Sequence, residues 1–166
     1  MNIDATTILS ATAMGVGATL IMDAWNLFLK RAFSVQSLNF CLLGRWIRHM
    51  PSGIFKHANI AAAERKPFEC PIGWLAHYSI GVSLAAAFVA LVSADWLARP
   101  TFLPVLTYGI VTVVFPFFVL QPSLGLGVAS SRTPNPTQAR LKSVMTHTVF
   151  GVGLYASGLA VRYIVR

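Results

Sequence analysis

Four stretches of the chain carry no formal charge: the residues between Asp4 and Asp23, Pro71 to Ala94, Thr101 to Ser131, and Ser143 to Val161. A bilayer core about 30 Å thick is crossed by roughly 20 apolar residues in helical form. Each stretch reaches that length, or nearly so once its flanks are counted. Lipid offers no partner to a free backbone N–H or C=O, so a chain that crosses it this way must do so as helix.

A soluble alternative fails on surface area. Of the 166 residues, 55% are hydrophobic and 11% charged, against about 25% charged in an ordinary soluble domain. A domain this small keeps too much surface to hide such a load. The expected fold class is therefore all-α: one integral membrane domain over 1–166, with a four-helix transmembrane bundle and a cytoplasmic amphipathic interfacial helix. The spans fall at about 6–29, 71–97, 101–121 and 143–164. Lys30 and Arg31 stop the first. Pro71 suits the first turn of the second. Pro116 kinks the third and Pro122 helps to end it. The residues before the first span, Met1 to Asp4, hold no Lys or Arg, so it reads as a retained helix rather than a signal peptide.

The net charge is +8 and the pI about 10.2. These cations lie between the apolar stretches, as the positive-inside rule requires, and nucleic acid is not an expected partner. Connections 30–70 and 122–142 hold ten Lys and Arg, and the other side holds three, Arg99, Arg162 and Arg166. Both connections are expected in the cytoplasm of a bacterial cell, with both termini outside the inner membrane. Cys41 and Cys70 would then be reduced. Within the first connection Leu38, Leu42, Leu43, Trp46, Ile47 and Met50 recur with helical period, with Arg45, Arg48 and His49 between them. Ser37 is a candidate cap and Pro51 a terminator. Such a helix suits the membrane interface or the end of the bundle. Trp25, Trp46, Trp74 and Trp96 fall near helix ends, as an aromatic belt would.

Ionisable groups inside lipid are costly and mark sites. Asp23, His77 and His147 lie in spans, and Gln121 ends the third span on the same side. Counted along the helices, they form one layer about 6–10 Å inside the face. Packing positions accompany them: Gly15, Gly17 and Thr19 on the first span, Gly81 four residues after His77, and Gly151 four after His147. Small residues at that spacing let helices approach in lipid, between spans or in a homo-oligomer. Aligning His77 with His147 also pairs Gly81 with Gly151 and Leu84 with Leu154, a faint internal repeat.

Several readings of this layer stay open. Asp23, His77 and His147 are the candidate ligands of a metal, and the two histidines of a haem; no sequence motif names a cofactor. The layer suits a small-solute, ion or proton transport component. It equally suits a non-catalytic assembly subunit whose polar groups pin helices. Gly125 to Arg132 offers backbone N–H groups and a cation to an anion, or forms a flexible turn. Nothing resembles a nucleophile constellation, so an enzyme is the lesser expectation and no catalytic residue is named. The lipid bilayer is the partner implied, with a homo-oligomer left open.

The segments Gly17–Asp23, Gly73–Tyr78, Gln121–Gly127 and His147–Gly151 together make the chain resemble an uncharacterised bacterial inner-membrane family, domain of unknown function 2938. The resemblance spans almost the whole chain. It implies this architecture and no activity.

Overall fold

A computed structural model describes residues 4–92 and 95–164. Positions 93–94, in the expected second span, lie outside the described residues. The chain is helical, with no strand among the described residues. The elements are α1 Ala5–Phe33, α2 Phe40–His49, α3 Glu69–Val92, α4 Asp95–Ala98, α5 Phe102–Val111, α6 Gln121–Ser123 and α7 Pro136–Ile164. A π segment, Pro116–Leu120, lies between α5 and α6, so Pro116 opens an i→i+5 turn where a kink was expected. Four helices are long and apolar enough to cross a membrane: Ala5–Phe33, Glu69–Val92, Phe102–Ser123 and Pro136–Ile164.

α1 and α7 outrun their apolar stretches because caps, not hydropathy, set their ends. Asp4 accepts a hydrogen bond from Thr7 N at 2.8 Å and opens α1. Lys30 and Arg31 do not stop that helix. They fill its last turn, where cations meet the helix dipole, and Ser34 in the left-handed region closes it. Asn135 accepts from Gln138 N, and Pro136 begins α7 seven residues ahead of the expected start. Arg140 and Lys142 thus stand on helix. The cap of α2 is Asn39, which accepts from Cys41 N, not Ser37.

The chain divides into two compact units. Unit 1 comprises 1–36, 78–112 and 145–166. Its core holds Met14, Ala18, Ala85, Phe88, Val105 and Leu154. Trp96 belongs to it as well: it is buried, packs edge-on against Phe88 and donates to Thr101 O. It is a core residue and not part of an aromatic belt. Large apolar side chains such as Leu9, Leu91 and Leu103 stand outward, while small residues face inward. That distribution suits lipid, where close packing replaces the hydrophobic drive between helices.

Unit 2 comprises 37–77 and 113–144. Here α2 crosses the start of α3 at Gly44 and Gly73. A Cβ on Gly44 would strike Glu69 O, and one on Gly73 would strike Phe40 O. The crossing puts Cys41 and Cys70 3.9 Å apart at Cα, and they form a disulfide. The reduced pair expected from sequence is not what the structure holds, because helix crossing joins residues that sequence separates by 29.

The polar residues of α2 also differ from an interfacial pattern. Arg45 is buried and binds Glu69 through both Nε and Nη2, at 2.8 and 2.9 Å. Its Nη1 donates to the carbonyls of Ile60, Ala61 and Ala63. His49, one turn on, is buried with Nε2 3.0 Å from Glu64 O. Two of the groups expected to face lipid headgroups are turned to the chain's own 60–69 segment, whose carbonyls need donors.

Candidate functional site

Unit 1 contains two helix pairs built on one plan. On α1, Gly15, Thr19 and Asp23 share a face at four-residue spacing; on α3, Tyr78, Gly81 and Val82 do so at three and four. The helices meet along these faces. A Cβ on Gly15 would strike Val82 Cα, and one on Gly81 would strike Thr19 Oγ1. Thr19 is satisfied by Gly15 O at 2.7 Å. One turn along, Tyr78 donates its hydroxyl to Asp23 Oδ2 at 3.1 Å. Close approach at glycine thus sets the distance at which the polar pair meets.

The second pair is α5 and α7. A Cβ on Gly109 would lie 2.6 Å from Gly151 N and 3.0 Å from His147 O. Beside that contact Thr112 Oγ1 lies 2.7 Å from His147 Nδ1, and the same hydroxyl donates to Gly109 O at 2.6 Å. A threonine hydroxyl has one hydrogen. Since Gly109 O takes it, Thr112 accepts from His147 Nδ1–H, which leaves the Nε2 lone pair unspent. Among the described residues Nε2 has no partner. Asp23 lies about 15 Å along α1 from Phe33, and His147 about 16 Å along α7 from Pro136.

The expected layer is divided between the units. Asp23 and His147 belong to unit 1, and His77 and Gln121 to unit 2. His77 is buried and stacks on Phe40 at 3.9 Å, with Trp74 edge-on at 5.9 Å. Gln121 is buried and donates from Nε2 to Ser143 Oγ at 3.3 Å, and its Oε1 is buried without a partner. Among the described residues no three His, Cys, Asp or Glu side chains come close enough to hold a metal ion.

Gly17 and Gly153 add α1–α7 contacts, against Ser157 and Ala18. The small-residue rows of α1 are therefore used within unit 1. Three more polar atoms are buried there without partners: Trp25 Nε1, two residues after Asp23, Thr146 Oγ1, one before His147, and Arg162 Nε. Buried polar groups that the protein leaves unpaired are completed by water or ligand.

Sequence reasoning missed Tyr78 and Thr112. Neither is charged, and each looks ordinary in a span. Their signal was position: Tyr78 lies three residues before Gly81, and Thr112 three after Gly109, on the faces that the glycines bring together.

Four helices long and apolar enough to cross a membrane, with part-buried polar pairs between helices, define the class, an all-α bundle of membrane-span-like helices. The chain belongs to the family described as protein of unknown function (DUF2938), whose model matches residues 12–161. No curated protein and no solved structure matches the chain.

Proposed function

We propose that the protein is a membrane transport component for protons, ions or small solutes, with Asp23–Tyr78 and Thr112–His147 as its working groups. The observation that carries this reading is the Thr112–His147 pair. Its geometry leaves an imidazole nitrogen with a free lone pair inside a spanning helix, able to accept a proton or coordinate a solute. Asp23, a second ionisable group in the same unit, accepts the Tyr78 hydroxyl at its Oδ2. The unpaired Trp25 Nε1 and Thr146 Oγ1 support a hydrated or ligand-lined region beside these groups.

Proteoliposomes carrying an internal pH dye test it. Wild-type protein is expected to dissipate an imposed pH gradient, with the rate cut at least about tenfold in Asp23→Asn and His147→Ala at near-unchanged melting temperature. Variants that melt earlier and leave flux untouched would instead make both pairs structural pins.

We further propose a bacterial inner-membrane location with both termini outside the cytoplasm. The division of Lys and Arg, ten on one side and three on the other, supports it. The Cys41–Cys70 bond weighs against that orientation, since disulfides persist in oxidising compartments. Trapping thiols in intact cells before lysis decides: a reduced pair keeps the connections in the cytosol, and an oxidised pair turns the molecule over.

A further inference from the structure

Between the third span and α7 the backbone adopts left-handed geometry four times in six residues: Gly125 at φ 91°, Gly127 at 76°, Ala129 at 46° and Ser130 at 57°. Glycine does this freely. Alanine and serine do not, and such strain persists only where the surroundings impose it, most often at functional sites.

Hydrogen bonds hold the segment at several points. Leu126 N donates to Gln121 O and Arg132 N to Leu126 O, both at 2.9 Å. Thr133 binds Ser130 O through both its N–H and its hydroxyl. Gly125 lies against the carbonyls of His57 and Ala58, at a distance no side chain would permit. Arg140, one turn into α7, donates from Nε to Ala129 O at 2.8 Å.

What these bonds leave over is a set of donors. The N–H groups of Val128 and Ala129 have no acceptor among the described residues. Ser130 is 3% exposed, and its hydroxyl has no partner among them either. Arg140 spends only Nε, and the Arg132 guanidinium is exposed with no partner among the described residues. Nothing nearby competes for these donors. No Asp or Glu follows Asp95 in the sequence, and the two acids of unit 2 are bound, Glu69 to Arg45 and Glu64 to Lys66. Consecutive amides in a turn, one hydroxyl and two guanidinium groups are the kinds of donor that the oxygens of a phosphate group take.

We propose that the Val128–Arg132 loop, with Arg140, is a binding site for a phosphate group, carried by a lipid headgroup or by a soluble phosphate. It is independent of the span groups assigned above. Arg140 has two roles here: it fixes the loop through Ala129 O and presents its remaining N–H groups to the anion.

The test uses the full chain in two arms. One titrates detergent-solubilised protein with inorganic phosphate, followed by phosphorus NMR line broadening. The other reconstitutes it in phosphatidylcholine nanodiscs with and without phosphatidylglycerol, and counts retained lipid by native mass spectrometry. Arg132→Gln and Ser130→Ala are expected to weaken binding about tenfold each, the worth of one charge-assisted or buried hydrogen bond. Loss confined to the nanodisc arm assigns a headgroup, and loss confined to the titration assigns a soluble phosphate; either supports the site. Should Ser130→Ala prove unstable, Arg132→Gln decides, because that exposed side chain holds nothing in the fold. Absence of binding in both arms, or binding that neither variant weakens, overturns the proposal.

Discussion

In unit 1 the helices meet through glycine, and few side-chain hydrogen bonds join one helix to another. In unit 2 a chain with long irregular stretches is gathered around a single buried arginine and closed by a disulfide. The contrast follows from how each part satisfies its backbone. A helix pairs its own N–H and C=O groups, so unit 1 has only packing left to optimise, and packing in lipid rewards small residues. The 54–68 segment has only the single 3-10 turn Ile60–Ala62 to absorb its carbonyls. Arg45, with five donors in a rigid fork, binds three of them and holds Glu69 besides.

The contrast can be broken most forcefully at Arg45. Arg45→Leu leaves the part-buried Glu69 carboxylate with only the Lys66 N–H and takes the donor from three carbonyls, and it should cost about 3–5 kcal/mol of unfolding free energy. Limited proteolysis of the 54–65 segment in detergent would register the loss. The double variant Arg45→Leu/Glu69→Leu should recover much of it. A single variant as resistant as the wild type would remove Arg45 from the centre of unit 2.

Next in size is the covalent closure. Replacing Cys41 by serine opens a loop of 29 residues' separation, an effect of about 2–4 kcal/mol. It should appear as a lower melting temperature that reductant no longer changes. An equal loss of protection in α1 by hydrogen exchange would mean that the two units melt as one.

Unit 1 is challenged by enlarging a contact. Gly109→Leu drives a side chain into the Gly151 backbone and should cost about 1–3 kcal/mol. It should also disturb the neighbouring Thr112–His147 bond, visible as a shifted imidazole nitrogen resonance. An unshifted resonance would show that the polar pair does not depend on the glycine contact.

The smallest expected effect is a pH dependence belonging to unit 2 alone. Burial and the neighbouring His49 hold the His57 imidazole below its ordinary value of 6.5. The unfolded chain then binds the proton more readily. The neutral ring's contribution is complete above pH 6.5 and is lost as pH falls below it, toward the folded value. His57→Asn should flatten that part of the stability profile measured on the 54–65 segment. A slope that survives the substitution would belong to another group.

Much of this was legible before any coordinates. That there are four long apolar helices was legible, because apolar length is a property of the sequence alone. Their ends were less legible: Lys30 and Arg31 read as a stop and proved to be a last turn. Helix ends depend on caps such as Asn135, and hydropathy does not report caps. The polar layer was legible as a set of candidates and not as pairs. Tyr78 and Thr112 carry no charge to attract notice, and only a neighbouring helix gives them meaning. Arg45 and His49 read as the polar face of a surface helix. Nothing local reveals that a loop 15 residues away returns to bury them.

The sequence by itself determined that the chain is helical, that four of its helices are long and apolar enough to cross a membrane, and where its cations and glycines fall. Those properties follow from free energies that each segment carries alone, in transfer to the bilayer and in closing its own backbone hydrogen bonds. Tertiary structure alone decided that Cys41 meets Cys70, that Asp23 meets Tyr78, and that His147 gives Nδ1–H to Thr112. Each of those is a distance between segments remote in sequence, set by how closely two glycine faces approach.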